Sequence, residues 1–93
     1  MSKSEIVKNL KLRNPNISKP VLESIFEDFC RYMENSLLEE KNIELRGFGT
    51  FFIKKIKEKH SARNPKTGEL IYVPEKNKVR FRASKRLKSE INK

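Results

Sequence analysis

Cysteine is nearly missing from this chain of 93 residues: Cys30 stands alone, and one thiol cannot close an internal disulfide. No apolar run approaches the ~18 residues that a membrane-spanning helix needs. The opening Met1-Ser2-Lys3-Ser4-Glu5 lacks the apolar stretch of a secretory signal, so a reducing cytoplasm is the expected setting. There is no phosphate-cradling glycine loop, no Cys-x-x-Cys pair and no nucleophile elbow. His60, the one histidine, sits among lysines without a cysteine or carboxylate cluster at metal-ligand spacing. These absences argue against an enzyme, a cofactor, a metal and a small-molecule substrate.

Acids are also scarce, but only in one region. Between Lys54 and Lys88 thirteen Lys or Arg face three acids, Glu58, Glu69 and Glu75, whereas the rest of the chain holds nine of each sign. The whole net charge of +10 therefore lies in one C-terminal segment. Such segregation is the footprint of a polyanion-binding surface rather than of general solubility. With 35% hydrophobic and 37% charged residues, a single small domain has a marginal core. A second chain is the simplest support.

Periodicity orders the elements. Ser2 and Glu5 have capping-box spacing ahead of Ile6, Val7 and Leu10, which predicts a first helix over about 3–13. Asn14-Pro15-Asn16 is turn chemistry. Ser18 and Pro20 then open a second helix over about 19–40. Its stripe of Leu22, Ile25, Phe26, Phe29, Met33 and Leu37 is widened by Val21, Cys30 and Leu38. A stripe this broad exceeds what a short first helix can cover, and Cys30 reads as a small core hydrophobe within it.

From Ile43 the period changes to two. Ile43 and Leu45 point one way, Glu44 and Arg46 the other, and Gly47-Phe48-Gly49 makes a tight connection. The next strand starts with Phe51 and Ile53 on one parity and continues with Lys55, Lys57 and Lys59 on the same parity. Such a strand leaves its core and runs on into solvent or against a polyanion. Arg63 to Gly68 is a turn, Leu70 to Val73 a return strand, and Pro74 to Asn77 an interruption. Lys78 to Arg82 alternates, with Val79 and Phe81 inward, and Ser84 caps a last helix carrying Leu87 and Ile91.

The outward row Lys78, Arg80 and Arg82, continued by Lys85, Arg86 and Lys88, is the clearest polyanion signal. Alternate side chains on a strand stand about 6.6–7 Å apart, close to the phosphate spacing of one DNA strand. The bland alternative is a charged strand face that resists edge aggregation. The second helix is a poor candidate for reading DNA. Residues 19–40 carry two cations against six acids, which phosphates would repel from a major groove. Pro65, at the tip of a basic ribbon, could wedge between base pairs from the minor groove, or be an ordinary turn proline. Rival readings are an RNA-binding module and a protein of anionic membranes or acidic partners. Apart from Phe52 and Tyr72, the aromatics occupy core-like positions, which disfavours an RNA stacking platform.

Ile43-Glu44-Leu45-Arg46-Gly47-Phe48-Gly49-Thr50-Phe51, followed by Arg63-Asn64-Pro65-Lys66-Thr67-Gly68 and Phe81-Arg82-Ala83-Ser84-Lys85-Arg86-Leu87-Lys88, resembles the bacterial HU and integration host factor family. The resemblance covers essentially the whole chain. It implies an α+β fold: an intertwined dimer of two N-terminal helices, a three-stranded antiparallel sheet with a long β-ribbon arm, and a short C-terminal helix. It further implies one domain over 1–93, with a dimerising helical portion to about 41. The partners implied are double-stranded DNA, bent through the minor groove in the nucleoid, and a second identical or paralogous subunit.

By position, Pro65 resembles the intercalating proline, with Arg63, Asn64 and Lys66 as flanking contacts. Arg82, Lys85 and the helix start at Ser2, Lys3 and Ser4 resemble phosphate-contacting positions. Lys54, Lys55, Lys57 and Lys59 complete the expected DNA-binding set. Glu44 and Arg46 resemble the β subunit of integration host factor, where these positions contribute to sequence preference. Asn42 departs from the arginine usual there, and Ala62 and Ser84 stand where glycine is common. The stretch from Gly47 to Pro65 is one residue longer than usual.

Overall fold

In the computed structural model the backbone of all 93 residues is described, and every side chain except that of Ala62. The chain divides into two compact units, Met1–Asn35 and Ser36–Lys93.

The first unit is helical because its turn residues and apolar stripes agree. Ser2 Oγ accepts the Glu5 N–H at 3.4 Å and so supplies one of the two capping-box bonds at the start of α1 (Lys3–Arg13). Asn14 ends the helix, and both its backbone N–H and its side-chain amide donate to the Leu10 carbonyl. Lys11 Nζ then donates to the carbonyls of Pro15 and Ile17, tying down the loop to α2 (Lys19–Leu38). Leu22 N–H donates to the Ser18 carbonyl, as an N-cap position requires. Val7 and Leu22 are buried, but around them Leu10, Ile17, Ile25, Phe26 and Phe29 line an open apolar trough. Cys30, expected in the core, is exposed on the single chain.

The second helix stops at Leu38, slightly short of the expected 40, for a local reason. Lys41 N–H reaches the Ser36 carbonyl and Glu40 N–H the Leu37 carbonyl, a Schellman closure with Glu40 at φ 59. That left-handed position favours glycine, so a β-carbon residue here ends the helix at some cost.

In the second unit β1 (Ile43–Leu45), β2 (Gly49–Ile56) and β5 (Lys76–Ala83) form an antiparallel sheet in the order β1-β2-β5. β3 (Lys59–Arg63) and β4 (Leu70–Val73) form a separate two-stranded ribbon. The β1–β2 turn is type II: Phe48 N–H donates to the Leu45 carbonyl at 2.8 Å, and Gly47 has φ +80. Arg46 therefore belongs to the turn, not to the strand face expected for it. At Gly49 a β-carbon would stand 2.5 Å from the Arg82 carbonyl oxygen and from the Phe81 ring, so only glycine allows β2 and β5 to approach. Phe51 and Ile53 oppose Phe81 and Val79, and the Phe81 ring contacts those of Phe51 and Phe48. This is the apolar face of the sheet. On the single chain it is open, with Val79 60% and Phe81 42% exposed.

The expected interruption at Pro74–Asn77 is shorter than the sequence implied. Lys76 and Asn77 already pair with Ile56 and Lys55, leaving Pro74 and Glu75 opposite Lys57 and Glu58. The register is the same on both sides of this gap, so the ladder loses bonds without slipping. Pro74 has no N–H to give it. Beyond the gap a bulge sets His60 and Ser61 against Tyr72, between the pairs Lys59–Val73 and Ala62–Ile71. One odd residue in the arm is absorbed there.

Ser84 shows why this chain does without a glycine at that point. Its Oγ accepts the Leu87 N–H and caps α3 (Lys85–Ile91), and its hydroxyl donates to the Gly47 carbonyl at 2.8 Å. Its backbone N–H donates to the Phe48 carbonyl. One side chain thus locks the last helix to the β1–β2 turn. Ser84→Ala should lower stability by about 1–2 kcal/mol, through the lost cap and the stranded Gly47 carbonyl. Thermal unfolding at fixed protein concentration checks this, and an unchanged midpoint would contradict the account.

Candidate nucleic-acid interface

Directly opposed residues in an antiparallel pair share a face of the sheet. Thr50, Phe52 and Lys54 of β2 stand opposite Arg82, Arg80 and Lys78 of β5, and Lys76 follows opposite Ile56. The second face of the sheet therefore carries Lys76, Lys78, Arg80 and Arg82 in one row, with Lys54 beside it. None of these five cations has an acidic partner among the described residues. Lys54 and Lys78 are directly across from each other, an arrangement that disfavours the sheet unless an anion lies over it. Lys76 escaped the sequence reading because Pro74 suggested a longer break. Carrying the even parity of Lys78, Arg80 and Arg82 back through Lys76 would have found it.

Phe52 lies half-buried in the same face, with the Arg82 guanidinium carbon 5.1 Å from its ring centroid. Lys55, expected with Lys54, is on the opposite face, across from Asn77, and makes a 3.5 Å ion pair with Glu40. Glu44 faces Thr50 and is exposed, so Glu44, Thr50 and Arg82 form one row across the three strands. Lys85, Arg86 and Lys88 are exposed on α3, and the Arg86 guanidinium lies against Gly47.

The ribbon has its own arrangement. Lys57 falls in the ladder gap, and Lys59 opens β3 opposite Val73. Because of the bulge, Lys59 and Arg63 end on opposite faces of the ribbon. Glu58, an acid among cations, is held by two neighbours. Tyr72 Oη donates to it at 2.7 Å, and His60 Nε2 lies 3.3 Å away with its ring against that of Tyr72. The bond to Glu58 raises the Tyr72 hydroxyl above the usual tyrosine range.

At the tip, Asn64 Oδ1 accepts the Lys66 N–H and the Asn64 carbonyl accepts the Gly68 N–H. Arg63 Nη1 donates to the Gly68 carbonyl at 3.2 Å. Arg63 and Asn64 therefore shape the loop, while Pro65 and Lys66 stand exposed on it.

Lys3 and Ser4 lie in the first turn of α1. Lys3 is already engaged by Glu27 of α2, in an ion pair whose two side chains are about half exposed. That hydrogen bond raises the Lys3 ammonium above its usual range and holds the Glu27 carboxyl below its own. The pairing is complete above the ordinary Glu pKa and is lost as pH falls through the lowered value. At neutral pH Lys3 is thus neutralised within its own unit, a competition that charge counting missed.

The family described as bacterial DNA-binding protein matches residues 1–92. The chain belongs to that family. It is 36% identical over 92 residues to the integration host factor subunit beta of Histophilus somni, covering 99% of this chain and 97% of that one. Identity to the same subunit of Hahella chejuensis is also 36% over 92 residues, covering 99% and 93%. The fold matches that of the Anabaena HU–DNA cocrystal structure with a TM-score of 0.81 at 23% identity, over 98% of this chain and 97% of that chain. The chain is accordingly an architectural, nucleoid-associated DNA-binding protein, with an α+β HU fold.

Releasing Lys3 should strengthen DNA binding. Glu27→Gln is expected to raise affinity for a short duplex more than Glu34→Gln, which makes the same charge change elsewhere on α2. The difference should shrink at high salt. Equal effects of the two substitutions would show that the pair is irrelevant to binding.

Proposed function

We propose that this protein acts as a dimer in the bacterial nucleoid, gripping duplex DNA through the minor groove and bending it. The observation that carries the reading is the row Lys76, Lys78, Arg80 and Arg82 with Lys54 beside it, cationic and without acidic partners among the described residues. A face that repels itself in isolation gains from a polyanion laid across it, and released counterions supply most of the affinity. Lys57, Lys59, Arg63, Asn64 and Lys66 of the arm, Arg46 of the turn, and Lys85, Arg86 and Lys88 of α3 extend the contact. Lys3 and Ser4 add a phosphate site at the start of α1. Lys55 contributes as a long, mobile charge once it leaves Glu40.

Dimer formation is supported by the apolar surface that one chain leaves open. Ile25 is 55% and Phe29 49% exposed on α2. A second copy covering such a face does what this short chain cannot do alone. Bending is assigned to Pro65, exposed at a tip whose shape is held by bonds from Asn64 to Lys66 and Gly68. Its ring has no N–H to desolvate and can wedge adjacent base pairs apart from the minor-groove side.

Two measurements test this reading. If roughly eight phosphates are neutralised, log K should fall with log salt at a slope of about −7. A flat dependence, or no duplex binding at low ionic strength, would sink the reading. Pro65→Ala should keep most of the affinity but bend DNA less, so that short fragments close into rings less often. An undiminished ring yield would remove Pro65 as the wedge while leaving the phosphate contacts in place.

A further inference from the structure

We propose that Phe52 is a positioning residue for Arg82 in DNA binding, an inference that rests on the DNA-binding reading above and deepens it. On the apolar side the Phe81 ring contacts those of Phe48 and Phe51. Phe52 has the opposite parity to Phe51. It stands among the cations, directly across from Arg80 and diagonal to Arg82, which opposes Thr50. The Arg82 guanidinium carbon lies 5.1 Å from the ring centroid, inside the ~6 Å range of cation–π attraction.

The chemistry of that contact favours DNA binding in two ways. The attraction is to the ring's π face and takes up no oxygen or nitrogen acceptor, so it leaves the N–H donors of the guanidinium available for phosphate oxygens. The contact also restricts a long, flexible side chain before DNA arrives, so less ordering remains to be done on binding. The donors stay free while their position is set.

The bland account is that the arginine stem merely covers an awkwardly placed phenylalanine. In that case the ring would matter to stability and not to binding. The two accounts separate in a double-mutant cycle on the full chain, using a short duplex at fixed salt with thermal unfolding measured alongside. Phe52→Leu should weaken binding about three-fold, whereas Phe52→Tyr, which keeps the ring, should bind like the parent. Arg82→Lys keeps the charge but loses the planar group, and should lose a similar factor. In the Arg82→Lys background, Phe52→Leu should then cost almost nothing further.

Losses that multiply in the double variant would overturn the proposal. So would parent-like binding by Phe52→Leu, or parent-like binding by Arg82→Lys, a substitution that leaves the apolar packing alone and keeps the test valid if Phe52→Leu fails to fold. A parent protein that ignores duplex DNA would instead defeat the DNA-binding reading itself, which separates the two failures.

Discussion

The constraint on which everything else depends is a shortage of core. Among the described residues, only Val7 and Leu22 are buried hydrophobic side chains, both in the helical unit, while Ile25, Phe29, Val79 and Phe81 keep about half their surface open. Burying such side chains is the main favourable term in folding, and a small chain can bury few of them alone. The helical trough and the apolar sheet face are therefore commitments to something outside the single chain. In the proposed dimer a second subunit, identical or paralogous, meets that demand and supplies a second arm at the same time, which ties folding to function.

Against this weak core the protein keeps a face that destabilises it further. The +10 charge is not spread out. The helical unit carries six cations against five acids, and the sheet unit sixteen against seven. Within the sheet the strand period puts cations about 7 Å apart, and antiparallel pairing sets Lys54 across from Lys78. Two acids near this surface are already engaged by neighbours. Glu40 is turned to Lys55 and Glu58 is held by Tyr72 and His60. Glu44 is exposed in the row with Thr50 and Arg82.

What could be read from the sequence follows how local each determinant is. Caps and turns were legible: Ser2, Ser84, the Gly47 turn and the tip around Pro65 each depend on residues within a few positions. The alternation from Phe51 and from Lys78 was legible for the same reason. Arg46 was misassigned because parity continues on paper through a turn that Gly47 starts one residue earlier. Lys76 and Asn77 were misassigned because the effect of Pro74 was taken to reach further than one missing N–H. Cys30 was expected in the core on the basis of a helix stripe, but a stripe does not say whether its cover comes from the same chain. Lys3 with Glu27, and Phe52 with Arg82, join residues 24 and 30 positions apart. No local pattern encodes such pairs.

The arm shows how these constraints combine. Two residues on each strand, outside either ladder, separate it from the sheet, and a bulge follows almost at once. A two-stranded ribbon gains little stability of its own, and here Leu70, Ile71 and Tyr72 remain exposed along it. Its tip is held instead by short-range bonds from Asn64, while its path is tied to the sheet only by a register preserved across the gap. A stiffer arm would make more bonds but would fix one trajectory before DNA is met. In the function proposed above, an arm with a shaped tip, a preserved register and a weakened base would follow a groove whose curvature it helps to create, and would draw its final order from the contacts made there.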